Sequence, residues 1–287
     1  MNSFVKSING FVEDRSNIFS LFLAFFLLFA IEHSTLMIQS RMLIALASLL
    51  GLIISSLRKN SLVWGVIALT IAYNLLGASR FVAANHTYLA LYTSLLLFFT
   101  TLKDEKEFVT ENHLRYLFIV FMGLATFHKI WSEEFLSGDF MSLVLGTNPH
   151  FQNFLAWAVD FDFRTIAANN SSLQIDGVYP PAISKSFELP KEIQFWGSVL
   201  TWGTILGEGF LVILAILGRR ARELLSSCLF LFVLGTSVIR MEYIFLSFVS
   251  LYAYSFTSRF WKQVALLLVF LYFSLMSVLD GTLIFYR

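Results

Sequence analysis

In a chain this poor in polar residues, chemistry must come from the few ionisable side chains set within or at the ends of apolar runs. Nine stand out: Glu32, His33, His86, His128, Lys129, Glu208, Arg240, Glu242 and Asp280. An ionisable group at bilayer depth costs about 3 kcal/mol on the insertion scale, so each is a candidate for function or pairing. Lys129 closes an apolar run, and an amine kept from water gives up its proton more readily and becomes a general base. The competing reading is structural, since lysines at helix ends commonly snorkel to the headgroups. His128 adjoins it, but neighbouring residues on a helix point about 100° apart, so only one of the two can face a given pocket squarely. His86 reads either as a proton relay and hydrogen-bond partner or as an interfacial histidine at a helix start. Glu208, in Gly207-Glu208-Gly209, falls about 13 residues into its run, roughly 20 Å at 1.5 Å per residue. At that depth it must be protonated or paired. Arg240 and Glu242 read as a surface turn. Asn85-His86-Thr87 also matches a glycosylation triplet, a pattern frequent by chance.

Other chemistries have no signature. The sequence contains no phosphate-cradling glycine loop, no His-Glu-x-x-His helix and no nucleophile elbow. The five histidines are not at ligand spacing, and Cys228 is the only cysteine, which excludes an intrachain disulfide and a cysteine metal site. With 20 basic and 19 acidic side chains and no basic stripe, nucleic acid is not expected as a partner.

The elements that must position these residues follow from composition. Of 287 residues, 57% are hydrophobic and 14% charged, against roughly 45–50% and 25% in soluble domains. The excess lies in uninterrupted runs such as 18–31, 42–54 and 264–271, not in the short alternating segments of a barrel. The expected fold is all-α, a polytopic transmembrane helical bundle. At roughly 20 residues per span, helices are expected near 17–38, 42–57, 61–79, 83–102, 114–130, 195–218, 223–239, 242–257 and 261–285. That gives about eight or nine spans, depending on the short stretches 42–57, 223–239 and 242–257. The polar segment before residue 18 and the lack of a small-residue cleavage site make the first run a retained span.

Placing the N-terminus in the cytoplasm puts twelve lysines and arginines inside and eight outside, with Arg219-Arg220-Ala221-Arg222 the strongest inside cluster. The stretch 131–194 is then extracytoplasmic. Within it, 140–145 and 151–159 are apolar but too short to span, and read as interfacial or re-entrant helices. Residues 160–190 form the most polar segment. No repeat or boundary divides the chain, and 1–287 reads as a single transmembrane domain.

Two segments carry a family likeness. Asn85-His86-Thr87-Tyr88-Leu89-Ala90-Leu91 resembles the Asn-His-x-Tyr-Leu stretch of vitamin K-dependent gamma-carboxylases and their bacterial relatives, the HTTM membrane family. Ala125-Thr126-Phe127-His128-Lys129-Ile130, followed by Phe135-Leu136-Ser137-Gly138, resembles that family's helix-ending lysine, aromatic and glycine. Leu206-Gly207-Glu208 resembles a glutamate common in its next span. The likeness runs from the third helix to about residue 254. It implies a cavity open to the outer face in which Lys129 deprotonates a reduced, vitamin K-like quinone, with His86 in the active region and Asn85, Tyr88 and Glu208 beside the cofactor. Three departures accompany it. The family's Phe-His pair is replaced by Phe232-Val233-Leu234-Gly235-Thr236, the lysine-to-glycine segment is slightly longer, and the large lumenal domain has no counterpart in these residues. They favour a changed quinone-dependent reaction, or loss of catalysis, over peptide carboxylation.

Three classes of function follow: a carboxylase-like lyase or oxidoreductase acting on an apolar small molecule; a non-catalytic membrane partner for maturation, export or immunity toward a peptide or protein; and a transporter. The last lacks the inverted repeats and Gly/Pro-broken helices of that class.

Overall fold

A computed structural model describes residues 17–32, 36–77, 85–103, 107–148, 151–159, 164, 189–239 and 242–284, with only the backbone at some, among them Glu32, Asn85, His86 and Asp280. Apolar chain in lipid must satisfy its own amides, and the helix does so within one segment. Among the described residues the regular elements are all helical. In chain order they are α1 (Asn17–Glu32), α2 (Ile38–Ile53), α3 (Ser61–Leu76), α4 (Asn85–Leu102), α5 (Glu107–Trp131), α6 (Glu133–Leu136), α7 (Asp139–Thr147), α8 (Gln152–Ala158), α9 (Lys191–Ile216), α10 (Arg222–Ile239), α11 (Tyr243–Ser255) and α12 (Phe260–Ile284). Among the described residues three segments are long and apolar enough to cross a membrane: Glu111–Trp131, Lys191–Ile216 and Arg222–Ile239. Further apolar stretches among the described residues are Asn17–Ile31, Ile38–Ile53, Ser61–Leu76, Thr87–Leu102, Tyr243–Ser255 and Phe260–Met276.

Helix ends depart from the hydropathy reading where distant side chains cap them. The first run breaks at Glu32 and α2 starts at Ile38, because Asn74 Oδ1 accepts from Met37 N at 3.0 Å. Arg41 lies inside α2 and donates from Nε to Ala30 O at 2.8 Å, and also to Ile31 O. It therefore closes the C-terminus of α1, where the last carbonyls lack intrahelical partners. Helix α9 begins at Lys191 because the Pro190 carbonyl accepts from Ile193 N (3.0 Å) and Gln194 N (3.2 Å).

The helices fall into two compact units. The first holds 1–121, 214–233 and 243–287. Its core is α1 and α11: Phe22, Phe25, Phe26 and Phe29 are buried, and from Leu246 to Ser255 α11 is buried on every side. The Phe248 ring lies tilted against Phe25 with centroids 4.5 Å apart, and Tyr252 hydrogen-bonds with Thr93 Oγ1 of α4 at 2.8 Å. Helices apolar all round belong in such positions. Helix α2 shows the reverse of a soluble pattern: it buries Ser40, Ile44, Ser48 and Gly51 and exposes Met42, Leu43, Leu46, Leu49 and Ile53. Small residues inward and large aliphatics outward is the arrangement of helices packed in lipid.

One end of this unit is tied by charge. Arg222 donates from Nε to Phe256 O at 2.7 Å and pairs with Glu111 at 3.1 Å. Glu223 accepts from Thr257 Oγ1 (2.9 Å) and Ser258 N (3.1 Å), capping the turn into α12, while Lys262 donates to Glu223 O (2.9 Å) and Ser227 Oγ (2.7 Å).

The second unit holds 122–213 and 234–242. Here the N-terminal half of α9 lies against the short helices of 131–159. Gly138 takes φ +86, which makes the turn from α6 to α7, and a Cβ on it would meet Ser198 Oγ at 2.8 Å. A Cβ on Gly197 would collide with Ser142 Oγ and lie 2.9 Å from Ser142 N. The two helices thus approach backbone to backbone, which is what small residues permit. Leu145, Phe151, Phe154, Leu155 and Ile193 form the local core.

Candidate functional site

The C-terminal turns of α5 and the middle of α9 run antiparallel within the second unit. A Cβ on Gly123 would touch Val212 at 3.9 Å and one on Gly209 would touch Thr126 at 3.8 Å. This register sets Lys129 opposite Glu208, and Lys129 Nζ forms a salt bridge with Glu208 Oε1. Glu208 stands 17 residues after the start of α9 at Lys191, level with the last turn of α5 that holds Lys129.

Around the pair the surroundings are dry. The Glu208 side chain is 10% exposed and that of Lys129 22%. The Phe135 ring, buried at the turn after α5, lies 5.7 Å from Lys129 Nζ, near enough for a cation–π contact. Ser132 places that ring, since its Oγ accepts from Phe135 N at 3.2 Å. Thr126, buried one turn before Lys129, sets its hydroxyl beside the Glu208 carboxyl while donating to Met122 O at 2.8 Å. Among the described residues Glu208 Oε2 is buried without a direct hydrogen-bond partner, with the Thr126 hydroxyl standing beside the carboxyl. Chemically, the site offers a carboxylate and an amine that can share a proton, a hydroxyl and an aromatic wall.

The remaining sequence candidates are placed as follows. His128 is exposed, so Lys129 and not His128 faces the carboxylate, as the angle between neighbours requires. Asn85 and His86 open α4 in the other unit, with side chains outside the described residues, and Tyr88 is half-buried one turn on. His33 and Arg240 lie outside the described residues, as do the side chains of Glu32 and Asp280. Glu242 precedes α11 and is half-buried. Thr126 and Phe135 were not singled out by sequence for this site. Their signal was spacing: Thr126 precedes Lys129 by one turn on the same face. Among the described residues no group of histidine, cysteine and acidic side chains could hold a metal ion.

No model of a known protein family matches this chain, and neither does a curated protein or a solved structure.

Proposed function

We propose that the chain is an integral membrane protein, of the HTTM carboxylase-like type, that takes a proton from a hydroxylated apolar small molecule such as a reduced quinone. The observation that carries this is the largely buried Lys129–Glu208 pair beside the Phe135 ring. A hydroxyl on an aromatic ring fits such a site: the hydroxyl donates to Oε2 and the ring lies near Phe135. A reduced quinone would supply the chemistry toward oxygen that protein side chains lack. The protein's part is to hold the hydroxyl, exclude water and receive its proton on the amine–carboxylate pair. His86, with Asn85 and Tyr88, keeps the role the family likeness gives it. The reading includes eight or nine helices in the bilayer, an N-terminus in the cytoplasm and the pair toward the extracytoplasmic side.

The test is oxygen uptake and quinone product formation by purified protein given reduced quinones, comparing wild type with Lys129→Ala and Glu208→Gln. Turnover by wild type that both variants lose, at equal helix content, supports the reading. Absence of turnover with every quinone refutes it.

A second reading draws on the same pair. An ammonium already neutralised by a carboxylate is also how a structural pair is built, and then the chain is a non-catalytic partner for a peptide or protein. In that case both variants leave peptide maturation or export unchanged wherever they remain folded, while changes in residues 160–190 abolish it.

A further inference from the structure

A cavity of ≈ 370 Å³ opens between α4 and α5 in the first unit. Each helix gives it one stripe at helical spacing: Leu96, Phe99, Thr100 and Lys103 from α4 and its end, and His113, Tyr116, Leu117 and Val120 from α5. The i, i+3, i+4, i+7 pattern means that each stripe is a single face, about 10 Å long at 1.5 Å per residue. That is about two-thirds of the ~15 Å half-thickness of a bilayer's hydrocarbon core. The walls are hydrocarbon and aromatic. Thr100 adds little polarity, because its hydroxyl donates back to Leu96 O at 2.8 Å. Phe99, Tyr116 and Val120 are each more than half exposed, so the groove opens sideways to whatever surrounds the helices. Its volume is that of a small-molecule site, but its shape is a slot along two helices.

Among the described residues the ionisable lining groups are Lys103, which is exposed, and His113, both at the same end of the groove. This is the end of the unit already seen to be tied by charge: Glu111, early in α5, pairs with Arg222. Arg115 lies over the Tyr116 ring at 5.2 Å and reaches Gly218, beside Arg219 and Arg220. In sequence the segments at this end carry Lys103, Lys106, Arg115, Arg219, Arg220, Arg222, Arg259 and Lys262 against Asp104, Glu105, Glu107, Glu111 and Glu223, and Arg222, Arg259 and Lys262 pair with Glu111 or Glu223. The connection itself, Lys103-Asp104-Glu105-Lys106, is neutral in sum. Hydrocarbon slot and cationic end together complement one kind of molecule.

We propose that the α4–α5 groove binds an anionic phospholipid, one acyl chain lying along Leu96, Phe99, Leu117 and Val120 and the headgroup phosphate meeting Lys103. The lipid comes from the leaflet on the Arg219–Arg222 side. It fills the space between two successive helices and ties the charged end to the membrane surface.

The test uses full-length protein in nanodiscs with trace phosphatidylglycerol or phosphatidylcholine, each carrying a diazirine on the acyl chain, followed by photolysis and peptide mapping. Wild type should be labelled by phosphatidylglycerol on peptides containing 96–103 or 113–120, about five-fold more than by phosphatidylcholine, the preference one basic side chain confers near a charged surface. Lys103→Glu should bring that ratio to about one or below, and Leu117→Trp, which fills the slot, should cut labelling there while leaving other helices unchanged. Equal labelling of wild type by the two lipids at these peptides, or labelling only elsewhere, overturns the proposal. That arm needs no variant to fold.

Discussion

Separating Lys129 from Glu208 should damage the protein asymmetrically. In Lys129→Met, Glu208 is left with a side chain 10% exposed and its cationic partner gone. In Glu208→Met, the orphan is a lysine 22% exposed at the last turn of α5, with a flexible stem that can carry its charge toward water. Removing one partner of a buried ion pair costs about 3–5 kcal/mol. Lys129→Met should fall at the upper end of that range and Glu208→Met at or below the lower end. The double variant, with no charge left to bury, should recover most of the loss, giving a coupling of about 2 kcal/mol or more. An ordinary interhelical hydrogen bond in a membrane protein couples by only about 0.6 kcal/mol, so the two cases separate cleanly. The assay is reversible unfolding from mixed micelles, followed by far-UV circular dichroism for wild type, both single variants and the double. Additive single variants, or a Glu208→Met more damaging than Lys129→Met, would refute the reasoning.

Two further outcomes follow from packing. Gly197→Ala drives a methyl into Ser142 Oγ and within 2.9 Å of its backbone nitrogen, so α7 must move; a loss of about 2 kcal/mol is expected in the same unfolding assay, and Gly203→Ala, whose Cβ would have nothing within 4 Å, is the matched control. Tyr252→Phe removes the 2.8 Å bond to Thr93 in a fully buried site and should cost about 1–2 kcal/mol by orphaning the threonine, with Thr93→Val on top restoring most of it.

Hydropathy located the long helices because lipid-facing and buried segments are both apolar and charges mark their ends. It misplaced boundaries where the cap comes from elsewhere in the chain. Arg41 counted as a loop charge in the orientation tally, yet it sits in α2 and binds the carbonyls of α1. Asn74, in the middle of an apolar run, starts α2 from a distance of 37 residues. Which way α2 faces was not legible either. Its buried stripe is Ser40, Ile44, Ser48 and Gly51, less apolar than the face it turns outward, so the rule that the greasier side goes inward points the wrong way. Lys129 and Glu208 were each conspicuous as lone charges. Their meeting depended on the register of α5 against α9, fixed by Gly123, Gly209 and a helix start at Lys191 that the apolar run did not mark.

The core of the first unit joins helices from distant parts of the chain. Helix α1 packs against α11 and α12, and 228 residues of translation separate Glu32 from Phe260. At about 5–20 residues per second, the ribosome needs roughly 10–45 s to supply that partner. Through that interval Phe22 and Phe25 lack their contacts with Phe248 and Tyr252, while Phe26 already has Trp64 of α3. The intervening unit, contiguous from 122 to 213 apart from one short return, meets its own neighbours first. Helix α1 should therefore settle in two stages, first on α2 and α3 and only later on α11 and α12.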